Sequence, residues 1–181
     1  IPIILTVIYL GNWFFKILLL VLVAMGLYEI FIMRNYWVKI IISLLFFIFV
    51  YTLYHIRISN NGFYHILICL LITWLSDTGG YIFGKVIGGK KINFISPNKT
   101  YAGFFGALLL PQTLAWLLFN ANFFSDKNIN YYFVFIFFIS ISAIVGDLFF
   151  SYLKRKMNIK DYSKLIPGHG GLFDRIDSLI F

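Results

Sequence analysis

The chain has 181 residues, of which 61% are apolar and only 12% are charged, and its mean hydropathy is +0.88. These values exclude an ordinary water-soluble domain, in which about 45–50% of residues are apolar and about 25% are charged. Fifteen Lys and Arg residues stand against seven Asp and Glu residues. The cations lie between long hydrophobic runs, which is typical of a membrane protein and gives no support to nucleic-acid binding. At this length we expect one compact domain over residues 1–181.

Hydrophobic runs long enough for membrane-spanning helices, about 20 residues each, follow one another along the chain. Because the chain begins at Ile1 without Met, we expect a truncated N-terminus, with residues 1–10 as the end of a first helix. Full spans are predicted over residues 13–33, 37–54, 63–86, 100–119 and 131–153, and residues 171–181 begin a further helix that stops before crossing. Backbone polar groups in hydrocarbon must be satisfied within the segment. The predicted fold class is therefore all-α, a polytopic transmembrane helix bundle with about six to seven spans.

The distribution of Lys and Arg predicts the orientation, because short cytoplasmic loops carry an excess of these residues. With Asn12 outside, that side receives only Lys16, Arg57 and Lys127. The opposite side receives twelve cations, which are Arg34, Lys39, Lys85, Lys90, Lys91, Lys99, Lys154, Arg155, Lys156, Lys160, Lys164 and Arg175. We therefore expect the second side to face the cytoplasm.

A stripe of small residues lies near the end of the fourth run, where Gly80, Gly84 and Gly88 recur at every fourth position. Small residues at this spacing let two membrane helices approach closely. The stripe predicts a helix contact within the chain or between two copies, and so leaves a homodimer open.

The first group of residues that carry chemistry ends the sixth run. Ionisable groups in membrane segments are costly, and each is a functional hypothesis. If the helix continues, Asp147, Ser151, Lys154 and Arg155 share one face. A carboxylate, a hydroxyl and two cations on one face suit a divalent metal flanked by phosphates. The alternative is a basic helix end that snorkels to the interface, which explains both cations but not Asp147.

The second group is the string P-G-H-G-G-L-F-D-R-I-D, which ends at Asp177. Gly168, Gly170 and Gly171 let backbone N–H groups approach a ligand, and the following helix points its N-terminus at them. Asp174 and Asp177 are three residues apart and are therefore neighbours on that helix. A glycine loop beside two carboxylates suits a metal-bound phosphate, and a plain turn is the alternative.

Together with S-x-x-K-R from Ser151 and K-D at Asp161, this string resembles the signature of the phosphatidate cytidylyltransferase family, also called CDP-diglyceride synthetases. The segments Ser76-Asp77-Thr78 and S-P-N-K-T at residues 96–100 are similar to two further motifs of that family. The resemblance covers the chain from about residue 74. It implies an active-site half over residues 74–181 of one integral-membrane domain.

The resemblance implies transfer of the cytidylyl group of CTP to phosphatidic acid, which gives CDP-diacylglycerol and pyrophosphate for phospholipid synthesis. It implies Mg²⁺ as cofactor and leaves a second cation open. A phosphate monoester is already an anionic nucleophile near neutral pH, so the enzyme has to neutralise and position two polyanions. The expected location is the bilayer of a bacterial inner membrane, with the site facing the cytoplasm.

Site residues are implied position by position where the chain matches the family's motifs. The metal ligands implied are Asp147, Asp174 and Asp177, and these act in catalysis together with the cations Lys154, Arg155 and Arg175. Substrate-binding residues implied are Ser76, Asp77, Lys99, Ser151, Gly168, His169, Gly170 and Gly171.

Two positions depart from the family's pattern. Ala102 replaces the Glu that usually follows the S-P-x-K-T string, and Phe150 replaces the Glu that many members have before Ser151.

An inactive homologue is therefore one alternative. A CTP-dependent polyprenol or phytol kinase is another, and it would need a general base for its alcohol acceptor. A non-enzymatic small transporter is the third, although transporters place ionisable residues near the midplane of repeated halves.

Overall fold

The structure is a computed structural model that describes residues 2–92, 99–123, 128–168 and 170–181, apart from the side chains of Pro2, Ile3 and Asn12. Of the positions used above, Ile1, residues 96–98, Lys127 and His169 lie outside the described residues. The substrate-binding prediction for His169 therefore stays a prediction.

Most of the described residues are helical, and among them are two isolated β-bridges and no strand. The helices are α1 (Pro2–Leu10), α2 (Asn12–Ile32), α3 (Tyr36–Ile58), α4 (Gly62–Val86), α5 (Tyr101–Asn120), α6 (Ile129–Lys156) and α7 (Phe173–Ile176). Five of them, α2 to α6, are long and apolar enough to cross a membrane. The all-α polytopic class is confirmed, and the chain is an integral membrane protein.

The two remaining helices are too short to cross a membrane, so the described residues contain five candidate spans where the sequence predicts six to seven. Helix α1 has 9 described residues and α7 has 4. Residues 171–181 thus form one helical turn followed by further turns, where the sequence predicts the start of a longer helix.

Side chains at the ends of several helices bind backbone groups that the helix itself leaves unpaired. Asn35 begins α3 by accepting a hydrogen bond from the N–H of Val38, and Thr100 begins α5 by accepting one from Gly103. These are the N-cap contacts typical of Asn and Thr. The cap at Thr100 fixes the backbone where the loop after α4 enters α5.

The chain divides into two compact units. Unit 1 comprises Ile1–Ile68 and Leu153–Ile180, and unit 2 comprises Cys69–Tyr152 with Phe181. In unit 1 the buried ring of Phe46 packs edge-on against Phe173, with ring centroids 5.3 Å apart. A Cβ atom on Gly26 of α2 would lie 2.3 Å from the Phe46 ring, so this close packing requires glycine. The core of unit 1 therefore joins the first helices to α7.

In unit 2, helices α4 and α5 approach through glycine. A Cβ atom on Gly79 would lie 2.3 Å from the carbonyl oxygen of Gly106, and one on Gly103 would lie 2.7 Å from that of Gly80. Gly84 also faces this contact, with the Gly103 Cα 3.6 Å from a Cβ atom placed on it. The predicted small-residue stripe is thus confirmed at Gly80 and Gly84 as a contact within the chain. Gly88 follows α4 at a positive φ, and in the described part of the chain no atom beyond its chain neighbours lies within 4 Å of its Cβ position, so it takes no part in this contact.

Replacing Gly79 by alanine should lower the free energy of unfolding by about 1–3 kcal/mol, because the added methyl group overlaps the backbone of α5. Gly80→Ala is the matched control, since its nearest neighbours would be 3.6 Å away. Both variants gain the same helix propensity. Unfolding in detergent, followed by circular dichroism, measures the difference. Equal stability of the two variants would contradict the close α4–α5 contact.

Candidate functional site

A cavity of about 500 Å³ lies among α4, α5 and α6 of unit 2. Ser76 and Asp77 of α4, Lys99 and Thr100 before α5, and Asp147 of α6 supply polar groups to its wall. Most of the remaining wall is glycine, aromatic and aliphatic. The volume falls within the range of about 300–1,000 Å³ typical of small-molecule sites. The cavity therefore combines a few convergent polar groups with an apolar lining.

The charged centre of this cavity is an ion pair between the Nζ of Lys99 and a carboxylate oxygen of Asp147. The other Asp147 oxygen accepts a long hydrogen bond, 3.5 Å, from the hydroxyl of Ser151, one turn later on α6. The carboxyl group of Asp77 is close enough to interact electrostatically with both Asp147 and Lys99. Two carboxyl groups thus face one ammonium group, beside the buried hydroxyl of Ser76.

Both aspartates lie well inside their helices. Asp77 precedes the end of α4 at Val86 by nine residues, and Asp147 precedes the end of α6 at Lys156 by the same number. At 1.5 Å per residue this is about 13 Å of helix. The sequence predicts the end of the fourth span at Val86, where α4 ends, and α6 extends three residues beyond the predicted end of the sixth span at Leu153. An ionisable group at this depth is costly unless it is paired, and Lys99 supplies the pairing.

In unit 1, Pro167, Gly168, Gly170 and Gly171 of the glycine string belong to a tight turn, and these described residues are called the glycine loop below. The loop is closed by a hydrogen bond of 2.8 Å from the N–H of Ile166 to the carbonyl of Gly170. Gly168 and Gly170 have φ values of 75° and 84°. Residues with a side chain rarely adopt this backbone conformation, so glycine is required at both positions.

Asp174 fixes the glycine loop from the first turn of α7. One of its carboxylate oxygens accepts a hydrogen bond of 2.9 Å from the Nζ of Lys154. The other accepts hydrogen bonds from the backbone N–H groups of Tyr162, at 3.0 Å, and Gly171, at 2.9 Å. The Asp174 side chain is only 4% exposed. The carboxylate offers about four acceptor positions, of which three are taken within the chain, and its predicted role as a metal ligand stays a prediction.

Glu29, for which the sequence predicts no role, also binds this segment. Glu29 lies on α2 and is fully buried. Its carboxyl group accepts hydrogen bonds from the hydroxyl of Ser163, at 2.7 Å, and from the backbone N–H groups of Leu172 and Phe173. A Cβ atom on Gly171 would lie 2.6 Å from a Glu29 oxygen. One signal could have found it, namely an acidic residue inside an otherwise apolar run.

The two carboxyl groups together occupy three consecutive backbone donors. The N–H of Gly171 binds Asp174, and those of Leu172 and Phe173 bind Glu29. The sequence predicts that N–H groups here meet a phosphate. The N–H group of Gly171 is paired within the chain, and the substrate-binding roles of Gly168, Gly170 and Gly171 stay predictions.

The other predicted residues have simpler surroundings. Arg155 and Arg175 are exposed, and Asp177 follows α7 and accepts a hydrogen bond from the N–H of Ser178 at 2.9 Å. Phe150, where many family members have Glu, is fully buried. That position serves apolar packing in this chain.

Tyr162 lies beside the glycine loop, outside the spans. Its pKa is raised above the ordinary value, first by burial and then by the carboxylates of Asp174, Asp177 and Glu29. The phenol therefore stays protonated in the folded protein at pH values where it ionises in the unfolded chain.

The expected consequence is a loss of stability in alkali. Below pH 10, the ordinary pKa, Tyr162 is protonated in both states; above it, ionisation favours the unfolded chain by about 1.4 kcal/mol per pH unit. Unfolding measured between pH 9 and pH 11 should show a smaller decrease for Tyr162→Phe than for the parent. Parallel pH profiles would contradict the raised pKa.

Among the described residues, no group of three or more His, Cys, Asp or Glu side chains is arranged to hold a metal ion. A divalent cation in the cavity of unit 2 would therefore take further ligands from substrate or water.

Comparison with known proteins agrees with the sequence signature. Residues 32–181 match the model of the cytidylyltransferase family. A protein named phosphatidate cytidylyltransferase from Staphylococcus haemolyticus (strain JCSC1435) is 39% identical over 132 residues, which are 71% of this chain and 50% of that protein. A protein of the same name from Staphylococcus aureus (strain COL) is 42% identical over 127 residues, 67% of this chain and 47% of that protein. The chain spans about half the length of the curated relatives it matches.

Proposed function

The chain belongs to the cytidylyltransferase family, and on that premise we propose that it transfers the cytidylyl group of CTP to phosphatidic acid. An oxygen of the lipid phosphate bonds to the α-phosphorus of CTP, and the bond from that phosphorus to the bridging oxygen breaks. The products are CDP-diacylglycerol and pyrophosphate. The observation that carries the proposal is the cavity of unit 2, in which Lys99 and Asp147 meet within a largely apolar wall.

Two substrates of different character have to be bound by such an enzyme. The ammonium group of Lys99 offsets phosphate charge, and the low-dielectric surroundings strengthen that interaction. The apolar wall suits the glycerol and the first carbons of the acyl chains. Arg155, Lys154 and Arg175 stay candidates for further phosphate contacts. No general base is required, because the attacking phosphate is already ionised.

The donor set of the cavity fits Mg²⁺, which is typically bound by one or two carboxylates plus substrate phosphates and water. Asp147 and Asp77 would hold the ion. Ser76 precedes Asp77 on α4, and Ser151 lies one turn after Asp147 on α6. When bound, Mg²⁺ neutralises charge on the transferred phosphates. In this proposal Asp174 positions the glycine loop, where it accepts three hydrogen bonds.

We place the protein in a bacterial plasma membrane with the cavity open to the cytoplasm. The excess of Lys and Arg on one side supports this orientation, and the relatives named above are bacterial. CTP would then approach from water and phosphatidic acid from the bilayer. The relatives' names favour this reaction over polyprenol phosphorylation and over transport.

A turnover assay on the full-length protein in detergent tests the proposal. Radiolabelled CTP, phosphatidic acid and Mg²⁺ should give labelled lipid and an equal amount of pyrophosphate. A parallel reaction with a polyprenol as acceptor and γ-labelled CTP tests the kinase alternative. Folded protein that makes no labelled CDP-lipid, or that phosphorylates the polyprenol instead, would overturn the proposal.

A further inference from the structure

We propose that Lys99 competes with divalent cations for the carboxylate of Asp147 and that, once displaced, its ammonium group binds substrate phosphate. This inference rests on the proposed function of the cavity in unit 2. It makes Lys99 a switchable counter-ion, which couples loading of the metal to capture of the nucleotide or lipid phosphate.

The geometry supports competition because the two cations would use the same oxygen atoms. The Nζ of Lys99 lies against one oxygen of Asp147, and Ser151 donates to the other at 3.5 Å. The side chains of Lys99 and Asp147 are 32% and 30% exposed. A pair that is this open exchanges its partner more readily than one that is sealed in a core.

Hydrogen bonds fix the backbone at Lys99 and just after it, but its long side chain can still rotate. The N–H of Ile92 donates to the carbonyl of Lys99 at 2.7 Å, and Thr100 caps α5. Exchange therefore needs only rotation of the flexible four-carbon stem of Lys99. The stem can carry the ammonium group from Asp147 toward a phosphate in the same cavity without movement of a helix.

Charge gives the exchange its direction. Asp147, Asp77 and Lys99 together carry a formal charge of −1 when ionised, so a divalent cation that joins them makes the centre positive. An ammonium group then gains by leaving the carboxylates for an anion. Phosphate binding and metal binding should consequently reinforce each other.

Lys85 provides a matched control, because it lines the same cavity and carries the same charge. Its Nζ donates to the hydroxyl of Tyr81 at 3.3 Å, and within the described residues it forms no ion pair with a carboxylate. Removing Lys85 thus changes the net charge of the cavity without removing the competitor of the metal.

The experiment measures Mn²⁺ binding to the full-length protein in detergent by electron paramagnetic resonance, without lipid substrate or turnover. Lys99→Gln should bind Mn²⁺ about tenfold more tightly than the parent, since it lacks a charge-assisted bond that the metal must break. Lys85→Gln should change the affinity by less than about threefold, because a screened charge without direct contact contributes little. Lys99→Arg keeps a cation and should stay near the parent.

A second titration, of inorganic pyrophosphate in saturating Mn²⁺, should show weaker binding to Lys99→Gln than to the parent. Tighter metal and weaker phosphate binding in one variant supports exchange, whereas simple damage to the fold would weaken both. Equal Mn²⁺ affinity of Lys99→Gln and Lys85→Gln, or no Mn²⁺ binding by any variant, would overturn the proposal. These results stand apart from the turnover assay, which alone decides the proposed function.

Discussion

Replacing Glu29 by alanine is expected to lower the free energy of unfolding of unit 1 by at least about 3 kcal/mol. The substitution leaves the buried backbone N–H groups of Leu172 and Phe173 and the half-buried hydroxyl of Ser163 without their acceptor. Each buried donor left unpaired costs about 1–3 kcal/mol. We also expect loss of turnover, because the same bonds hold the segment that carries Asp174.

Two milder variants give the expected order of effects. Ser163→Ala removes one donor and leaves the backbone bonds of Glu29 in place, so we expect a loss of about 1 kcal/mol. Glu29→Gln keeps the size of the side chain but turns an NH₂ group toward backbone donors. Its loss of unfolding free energy should lie between those of Ser163→Ala and Glu29→Ala. Chemical unfolding in detergent measures all three. If Glu29→Ala were as stable as Ser163→Ala, the bonds from Leu172 and Phe173 would not hold α7.

Glu29 also marks the limit of what the sequence could predict. It lies 143 residues from Leu172 in the chain, and the match to the family model begins after it, at residue 32. Hydropathy identifies α2 as a span, and it identifies Glu29 as an exception within that span. The pairing itself depends on how α2 and α7 pack within unit 1, for which the sequence has no local signal.

Local features were predicted with more success, since they depend on residues that are close in the chain. The length and position of the hydrophobic runs are enough to predict the ends of α2 to α6 within a few residues. The helical register of Asp147 and Ser151 predicts their contact. The partners of Lys99 and Lys154 are carboxylates 48 and 20 residues away, and they follow only from tertiary packing.

Substituting asparagine for Asp147 should reduce turnover at least about 100-fold, the scale typical for loss of one electrostatic group in an active site. Asparagine has the same shape and still accepts from Ser151, but it lacks the charge that faces Lys99. The expected change in stability is below about 1 kcal/mol, because the ion pair is nearly one-third exposed. The turnover assay with phosphatidic acid and labelled CTP measures the first effect, and chemical unfolding measures the second.

Ser140→Ala is the control for Asp147→Asn, because it removes a polar group two turns earlier on α6. The hydroxyl of Ser140 donates to the carbonyl of Ile136 in its own helix, at 2.8 Å, and Ser140 is not among the described residues that line the cavity. We expect this variant to keep its activity. A folded Asp147→Asn protein with turnover within about tenfold of the parent would remove Asp147 from the catalytic centre. Asp147 would then be left with a structural role alone, as the carboxylate partner of Lys99.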